Sequence, residues 1–293
     1  MPTCIVLSLS DKQKLLDLAR AKSEGSWTEL ASRLGCSKSL VFAYTQKTKI
    51  SRRNFFRLCE LAGLVSTEFE YTTINVKNEP RIVTLPKALN LRLSELLGIL
   101  AGDGHVSTLK YQIHICGHKR LDREYIIGHV VPLVTSLFGT FPFIRENKAT
   151  VYCRFYSKLA VLFLSSRFGI PLGKKKGRLR IPVAIRSRRS LLIAYLRGLF
   201  DTDGSIYRHH KHSLALDITS VSPNFRKDVL AALMRLGFHP VNNGKNIQLY
   251  HQSEIHRFFA LVKPANDKHL IKYRTYSSLG YLPRASEIFA AVV

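Results

Sequence analysis

The sequence predicts an α+β protein in which two pseudo-symmetric repeats of order α-β-β-α-β-β-α follow an all-α N-terminal domain. Three observations predict it. An apolar, helix-like run ending on Asp-Gly occurs twice, as "LLGILAGDG" (96–104) and "LRGLFDTDG" (196–204). Each run is followed by the same succession of strand and helix periodicities, a regularity expected of an internal repeat. Residues 10–64 carry helical spacing throughout.

In that first region "SDKQKLLDLARAKS" sets Leu15, Leu16, Leu18 and Ala19 on one face. "SWTELASRLGCSKSLVFAYTQ" then reads as helix, turn, helix, and "SRRNFFRLCELAGL" as a further helix. Ser26 with Glu29 forms a capping-box pattern, and Gly35 supplies a left-handed turn. The arrangement Ala31, Leu34, Gly35, Ser37 resembles the repressor-type helix-turn-helix, whose second helix, here 37–46, enters the major groove. That resemblance implies that Ser37, Lys38, Ser39 and Tyr44 face DNA. A small helical bundle without a nucleic-acid role is the alternative. Residues 70–90, rich in β-branched residues and broken by Pro80 and Pro86, read as a linker with a short strand.

Within the repeats, Ile113 and Ile115 alternate with Gln112 and His114, while Leu214, Leu216 and Ile218 alternate with Ala215 and Asp217. The second helices, "REYIIGHVVPLVTSLFG" and "NFRKDVLAALMRLG", close on Gly139 and Gly237. A hairpin follows in each, turning near Asn147 and at Asn243-Gly244. Third helices are "KLAVLFLSSRFG" and "SEIHRFFALVK". The expected domains are 1–69 (helix-turn-helix), 70–90 (linker), 91–184 and 185–276 (repeats) and 277–293 (tail).

The net charge of +25 and a pI near 10.1 point to a polyanionic partner, since Lys and Arg that neutralise phosphates release condensed counterions. No long basic amphipathic helix favours a membrane surface. "LLIAYLRGLF" is too short to span a bilayer and is interrupted by Arg197. Five scattered cysteines lack metal-finger spacing and suggest reduced thiols. With no signal-peptide pattern, the expected location is intracellular: the cytoplasm or nucleoid of a prokaryote, or an organelle.

Asp-Gly alone is ordinary punctuation at a helix end. The pair has further matching features. Gly98 and Gly102 in one helix, and Gly198 and Thr202 in the other, are small residues at i,i+4 spacing, which lets two helix backbones approach closely. Helices packed through those faces end together, bringing Asp103 to Asp203. Two adjoining carboxylates call for a cation. Mg²⁺ prefers hard oxygen ligands and keeps positions for water and phosphate, which suits phosphodiester hydrolysis.

The two runs resemble the defining motifs of LAGLIDADG homing endonucleases in their single-chain, two-motif form, over residues 90–280. The resemblance implies that the motif helices form a pseudo-twofold interface and that each four-stranded sheet forms a saddle over the DNA major groove. It implies that Asp103 and Asp203 bind catalytic Mg²⁺ (or Mn²⁺), with help from the backbone carbonyls of Gly102 and Thr202. The implied product is a double-strand break with short 3′ overhangs. The first motif departs from the pattern at Ala101, opposite Asp201, a position that is not a metal ligand in the family. The loop "GIPLGKKKGRLRIP" (169–182) resembles a family segment that carries a basic residue near the metals. Lys175 or Lys176 is the candidate in the first repeat and Lys268 in the second, the alternative being a solvated, phosphate-positioning loop. Lys174 and Arg178 of that loop, with Gln112, His114, Arg154, Arg208, Lys211 and Gln248 on the strands and hairpins, are the candidate DNA contacts. Their orientation depends on strand register.

The expected activity is a Mg²⁺-dependent, site-specific DNA endonuclease acting as a monomer. The expected partner is double-stranded DNA. An RNA-splicing maturase that binds its host intron RNA is one alternative, and a transcription regulator that has lost the chemistry is another. The Met-Pro start and "FAAVV" end lack the residues of protein splicing, so a free-standing or intron-encoded enzyme is expected.

Overall fold

A computed structural model of the protein describes residues 3–46, 49–69, 71–75 and 83–290. The chain divides into two compact units, Met1–Lys87 with Phe138–Thr140, and Ala88–Leu137 with Phe141–Val293. Of the expected linker 70–90, residues 70 and 76–82 lie outside the described residues, as do 291–293 of the expected tail.

The N-terminal unit is not all-α. Among its described residues the α-helices α1 (Leu9–Ala21), α2 (Trp27–Leu34), α3 (Lys38–Thr45) and α4 (Arg52–Ala62) are joined by a three-stranded antiparallel sheet. In that sheet β1 (Thr3–Leu7) lies between β2 (Ile50–Ser51) and β3 (Tyr71–Asn75). The short strand expected in the linker is β3, and it pairs with β1 along its whole length, Thr3 opposite Asn75 and Leu7 opposite Tyr71. Sequence spacing missed β1 because Thr3–Leu7 is an apolar run without alternation, and β2 because two residues are too few to show one; strand pairing also joins residues far apart in the chain. The Ser26 side chain caps α2 by accepting from the amides of Thr28 and Glu29. Glu29 turns to Arg33 (3.3 Å), so only half of the predicted capping box forms. Gly35 ends α2 at φ +65°, the left-handed conformation that a residue with a Cβ resists.

In the second unit α5 (Leu91–Ala101), β4 (Gly104–Ser107) and β5 (Gln112–His118) lead into a long helical segment. That segment comprises α6 (Arg123–Tyr125), a π turn at Ile126–Val130 and α7 (Val131–Phe138). Then come β6 (Phe143–Glu146), β7 (Thr150–Tyr156) and α8 (Lys158–Phe168). After the short α9 (Val183–Arg186) the order recurs as α10 (Arg189–Asp203), β8 (Gly204–His210), β9 (Ser213–Thr219), α11 (Pro223–Arg235), β10 (Val241–Asn242), β11 (Asn246–Leu249) and α12 (Gln252–Val262). Both four-stranded antiparallel sheets have the same topology, first-second-fourth-third strand. The predicted repeat is therefore present in order and in topology. Past it, α13 (Asp267–Leu279) and α14 (Ala285–Ala290) occupy what was read as the end of the second repeat and the tail.

The two motif helices, α5 and α10, pack backbone to backbone. A Cβ placed on Gly98 would fall 2.0 Å from the Tyr195 carbonyl oxygen, and one on Gly198 would fall 2.1 Å from that of Glu95. The Ser94 hydroxyl adds a hydrogen bond to the Leu191 carbonyl at 2.6 Å. Gly104 and Gly204 follow the helices for a different reason from ordinary helix punctuation. Neither has positive φ. A Cβ there would strike Leu100 Cα at 2.4 Å or Phe200 Cδ2 at 2.2 Å, because the following strand folds straight back over the helix end.

Gly98→Val is expected to destabilise the second unit by about 3 kcal/mol or more, since backbone cannot move aside as a side chain would. Gly128→Ala, on an exposed helical site with open space at its Cβ, is expected to be neutral or to stabilise by up to about 1 kcal/mol. Urea midpoints of the two variants should shift in opposite directions or differ at least severalfold in size.

Candidate active site

Close packing of α5 on α10 brings their C-terminal ends together. A Cβ on Gly102 would lie 2.0 Å from Thr202 Oγ1 and 3.2 Å from Asp203 Cγ. The Thr202 hydroxyl is turned back on its own helix, donating to the Gly198 and Leu199 carbonyls at 3.0 Å. Asp103 and Asp203 flank this junction. Burial pushes the Asp203 carboxyl up to about 7, with Asp103 acting in the same direction and Lys175 and Lys268 opposing. Burial also raises Asp103; Lys268 opposes it and Asp122 adds to it. Two half-buried carboxylates thus share one end of the helix interface, as the glycine spacing predicted.

Of the adjacent lysines, Lys175 is the one that turns inward. Its ammonium donates to the carbonyls of Leu100 (3.2 Å), Ala101 (2.8 Å) and Gly102, the last turn of α5. A cation there is favoured by the negative end of the helix dipole. Burial lowers the Lys175 pKa against the opposing charges of Asp203 and Asp103. Lys176 is exposed, and it lines a cleft of about 300 Å³ with Gly102, Lys175, Asp203, Thr219 and Ser222. Lys174 and Arg178 are exposed, and Arg178 bonds the Leu172 carbonyl at 3.0 Å. Lys268 opens α13 and binds Asp122 Oδ1 at 2.9 Å.

Four residues that sequence reasoning missed hold these parts in place. Asp201 is fully buried and accepts from the backbone amides of Ala265 and Asn266 at 3.0 Å. Burial pushes its carboxyl up to about 7 against those two amides. Asn266 donates to the Asp201 carbonyl (3.0 Å) and to Asp122 Oδ1 (2.8 Å). Burial alone would raise Asp122, but the Lys268 charge and the Asn266 hydrogen bond outweigh it and hold the carboxyl below its usual value. On the other side Asp228, in α11, accepts from Arg180 Nε (2.7 Å), Arg180 Nη2 (2.8 Å) and the Ile181 amide (2.9 Å). For the three acids among them the sequence signal was chemical: acids are the minority charge in a chain with 45 Lys and Arg against 20 Asp and Glu.

Among the described residues no group of three or more His, Cys, Asp and Glu side chains converges as a metal site. The donor set at the helix ends is two carboxylates and backbone carbonyls, all hard oxygens. Such a set fits Mg²⁺ or Mn²⁺, which fill their remaining positions with water and phosphate.

The candidate DNA contacts divide. Gln112, His114 and Arg154 lie on the face of the first sheet opposite the buried Ile113, Ile115, Cys153 and Phe155. The His114 ring is 5.0 Å from Tyr152, and the Arg154 guanidinium stands 5.8 Å over the same ring. In the second sheet Gln248 lies on the corresponding face but is only 4% exposed. Its amide is engaged by Tyr207 (2.8 Å), Tyr250 (2.5 Å) and Asn243 (2.9 Å), so it is not a free reader. Arg208 shares the register of core-facing Ile206, and Lys211 is exposed at the hairpin tip. In the N-terminal unit Ser37, Lys38 and Ser39 are exposed at the start of α3, where the Ser37 hydroxyl caps the helix by accepting from Leu40. Tyr44 does not face DNA. It is 1% exposed in the core with Val41, and its hydroxyl accepts from Asn54 at 2.9 Å, because i,i+3 spacing puts it on the inward side of α3.

Residues 190–262, which include the second motif helix and Asp203, match the family described as LAGLIDADG-like domain. The chain is 27% identical over 173 residues to ribonucleoside-diphosphate reductase NrdEB subunit alpha of Bacillus subtilis (strain 168), covering 53% of this chain and 15% of that protein. It is 31% identical over 172 residues to the replication factor C small subunit of Methanocaldococcus jannaschii, covering 55% and 8%. The chain thus spans a small part of either relative's length. Similar solved structures include mesophilic variants of the homing endonuclease I-DmoI, with a TM-score of 0.45 and 17% identity over 60% of this chain and 97% of that one. I-SmaMI bound to uncleaved DNA target in the presence of calcium ions has a TM-score of 0.45 and 12% identity over 66% and 91%.

Asp228 makes a stability contribution with a defined pH window. Burial would raise its carboxyl, but the Arg180 and Ile181 hydrogen bonds outweigh burial and hold it below the usual value. Such a contribution is complete above the unfolded pKa of about 4 and is lost as pH falls through the folded value. Asp228→Asn is expected to cost about 1–2 kcal/mol at neutral pH, a charged hydrogen bond reduced by the exposure of Arg180. The gap in Tm between wild type and variant should close below about pH 4, measured by circular dichroism melts.

Proposed function

We propose that the protein, whose residues 190–262 match a LAGLIDADG-like domain, is a site-specific DNA endonuclease that cuts both strands of a long duplex target. The observation that carries this reading is the meeting of Asp103 and Asp203 at the ends of two glycine-packed helices, with Lys175 and Lys268 beside them. Two carboxylates, one from each repeat, suit a substrate with two antiparallel scissile strands.

In this reading Asp103 and Asp203, with the Thr202 carbonyl and the Gly102 carbonyl that also accepts from Lys175, would hold Mg²⁺ or Mn²⁺. Such an ion would supply Lewis-acid chemistry suited to phosphodiester hydrolysis. The protein's own contribution is electrostatic. Lys175 and Lys268 offset the mutual repulsion of the carboxylates and put positive charge where a phosphate would otherwise meet two negative groups. The net charge of +25 supplies the sequence-independent part of DNA affinity. The polar face of the first sheet, with Gln112, His114 and Arg154, reads base edges in the major groove. The exposed start of α3, with Lys38 and Ser39, makes a further DNA contact. The cut leaves short 3′ overhangs, and the enzyme acts as a monomer through its internal pseudo-twofold.

The test is cleavage of a supercoiled plasmid carrying the rejoined sequence that flanks the gene, with Mg²⁺ or with EDTA. Linear product is expected only with metal. Asp103→Asn and Asp203→Asn should each lower the rate of linearisation at least about a hundredfold, equivalent to several kcal/mol of lost charge stabilisation. Tight binding of that DNA by wild type with no cut at any divalent metal would sink the endonuclease reading and leave a maturase or a regulator.

A further inference from the structure

Each lysine beside the aspartates belongs to a segment that is fastened to the opposite repeat. Lys175 lies after the last helix of the first repeat, yet its segment is gripped by Asp228 on α11 of the second. Lys175 and the gripped residues form one unit. The amides of Arg178 and Leu179 both donate to the Lys175 carbonyl (3.0 and 3.2 Å), and Leu179 and Ile181 are buried. Lys268 follows the last helix of the second repeat, yet it binds Asp122, immediately before α6 of the first. Asn266 fixes the same carboxylate oxygen at 2.8 Å and is itself held by Asp201. The two carboxylates therefore occupy related places, one leading into and one within the second helix of its repeat.

From this crossed arrangement we propose that Asp122 and Asp228 are positioning residues, each setting at the paired aspartates the lysine that the other repeat contributes. Loss of either one impairs cleavage of one DNA strand more than the other. The two contacts differ in reach. Asp122 holds the Lys268 ammonium directly, whereas Asp228 acts on Lys175 through the backbone between residues 175 and 181. The effect of Asp122 is accordingly the larger. This inference rests on the endonuclease reading for its catalytic part and on the DNA-free structure for its positional part.

Two measurements on the full chain separate those parts. In the DNA-free protein, acetylation rates of individual lysines are read by mass spectrometry. Asp122→Asn should raise labelling of Lys268 about tenfold, the factor for one lost charge-assisted hydrogen bond, and leave Lys175 unchanged. Asp228→Asn should raise labelling of Lys175 and leave Lys268 unchanged. Arg180→Gln removes the side-chain half of the same clamp, leaving the Ile181 amide bond, and guards against a folding defect of the Asp228 variant, its effect being the smaller of the two. Unchanged lysine reactivity in all three variants overturns the proposal. On a linear duplex carrying the same target, strand-specific end labels then report nicked intermediates. Asp122→Asn should accumulate nicks in the same strand as Lys268→Met. Asp228→Asn and Arg180→Gln should accumulate them in the other strand, matching Lys175→Met. Equal loss of both cuts in every variant would overturn strand-selective positioning. A wild-type protein that cuts nothing sinks the endonuclease reading instead, and lysine reactivity still decides the positional part.

Discussion

The close approach of α5 and α10 at Gly98 and Gly198 is the constraint on which the rest of the second unit depends. At each glycine the place of a Cβ is taken by a carbonyl oxygen of the facing helix, so the two backbones touch. That closeness forces both helix C-termini to one point. Two negative dipole ends and two aspartates are then concentrated where water is partly excluded, an arrangement unfavourable on its own. The lysine ammonium on the last carbonyls of α5 and the raised carboxyl of Asp203 both answer that demand. The chemistry proposed for the site is thus a consequence of helix packing rather than an addition to it.

The pseudo-twofold is broken wherever the two repeats need different partners. Ala101 leaves one helix end apolar, while Asp201 at the related position pins the backbone of Ala265 and Asn266. Glu95 is buried against His129 Nε2 (2.6 Å) and near Arg197 (3.6 Å), where the related Tyr195 buries a hydroxyl instead. The hydrogen bond that His129 donates to Glu95, ahead of the Glu95 charge, raises the His129 pKa against burial. The sheets diverge as well. The polar side chains of the second sheet bond mostly to one another, through Gln248, Tyr207, Tyr250 and Asn243. The first sheet keeps donor atoms of His114 and Arg154 without protein partners. One fold repeated in sequence therefore presents two different sheet faces.

The N-terminal unit follows the same logic on a smaller scale. Its helix-turn-helix spacing was readable because caps and glycine turns act through neighbouring residues: Ser26, Gly35 and Ser37 each do what their types favour. Its sheet was not readable, because a five-residue strand and a two-residue strand acquire meaning only when β2 and then β3 return to pair with β1.

The repeat, the motif helices and the adjoining of Asp103 and Asp203 were determined by the sequence alone, since periodicity and small-residue spacing are local features that survive any reasonable packing. Tertiary structure decided which lysine turned inward, why Tyr44 is core and not contact, and why Gln248 is covered. It also decided the partners of Asp122, Asp201 and Asp228. Asp122 and Asn266 are 144 residues apart and Ile181 and Asp228 are 47 apart, so no local pattern joins them. Burial and ion pairing are properties of chain segments that return to one place, and the energy that selects such pairs exists only after the backbone has brought them within reach.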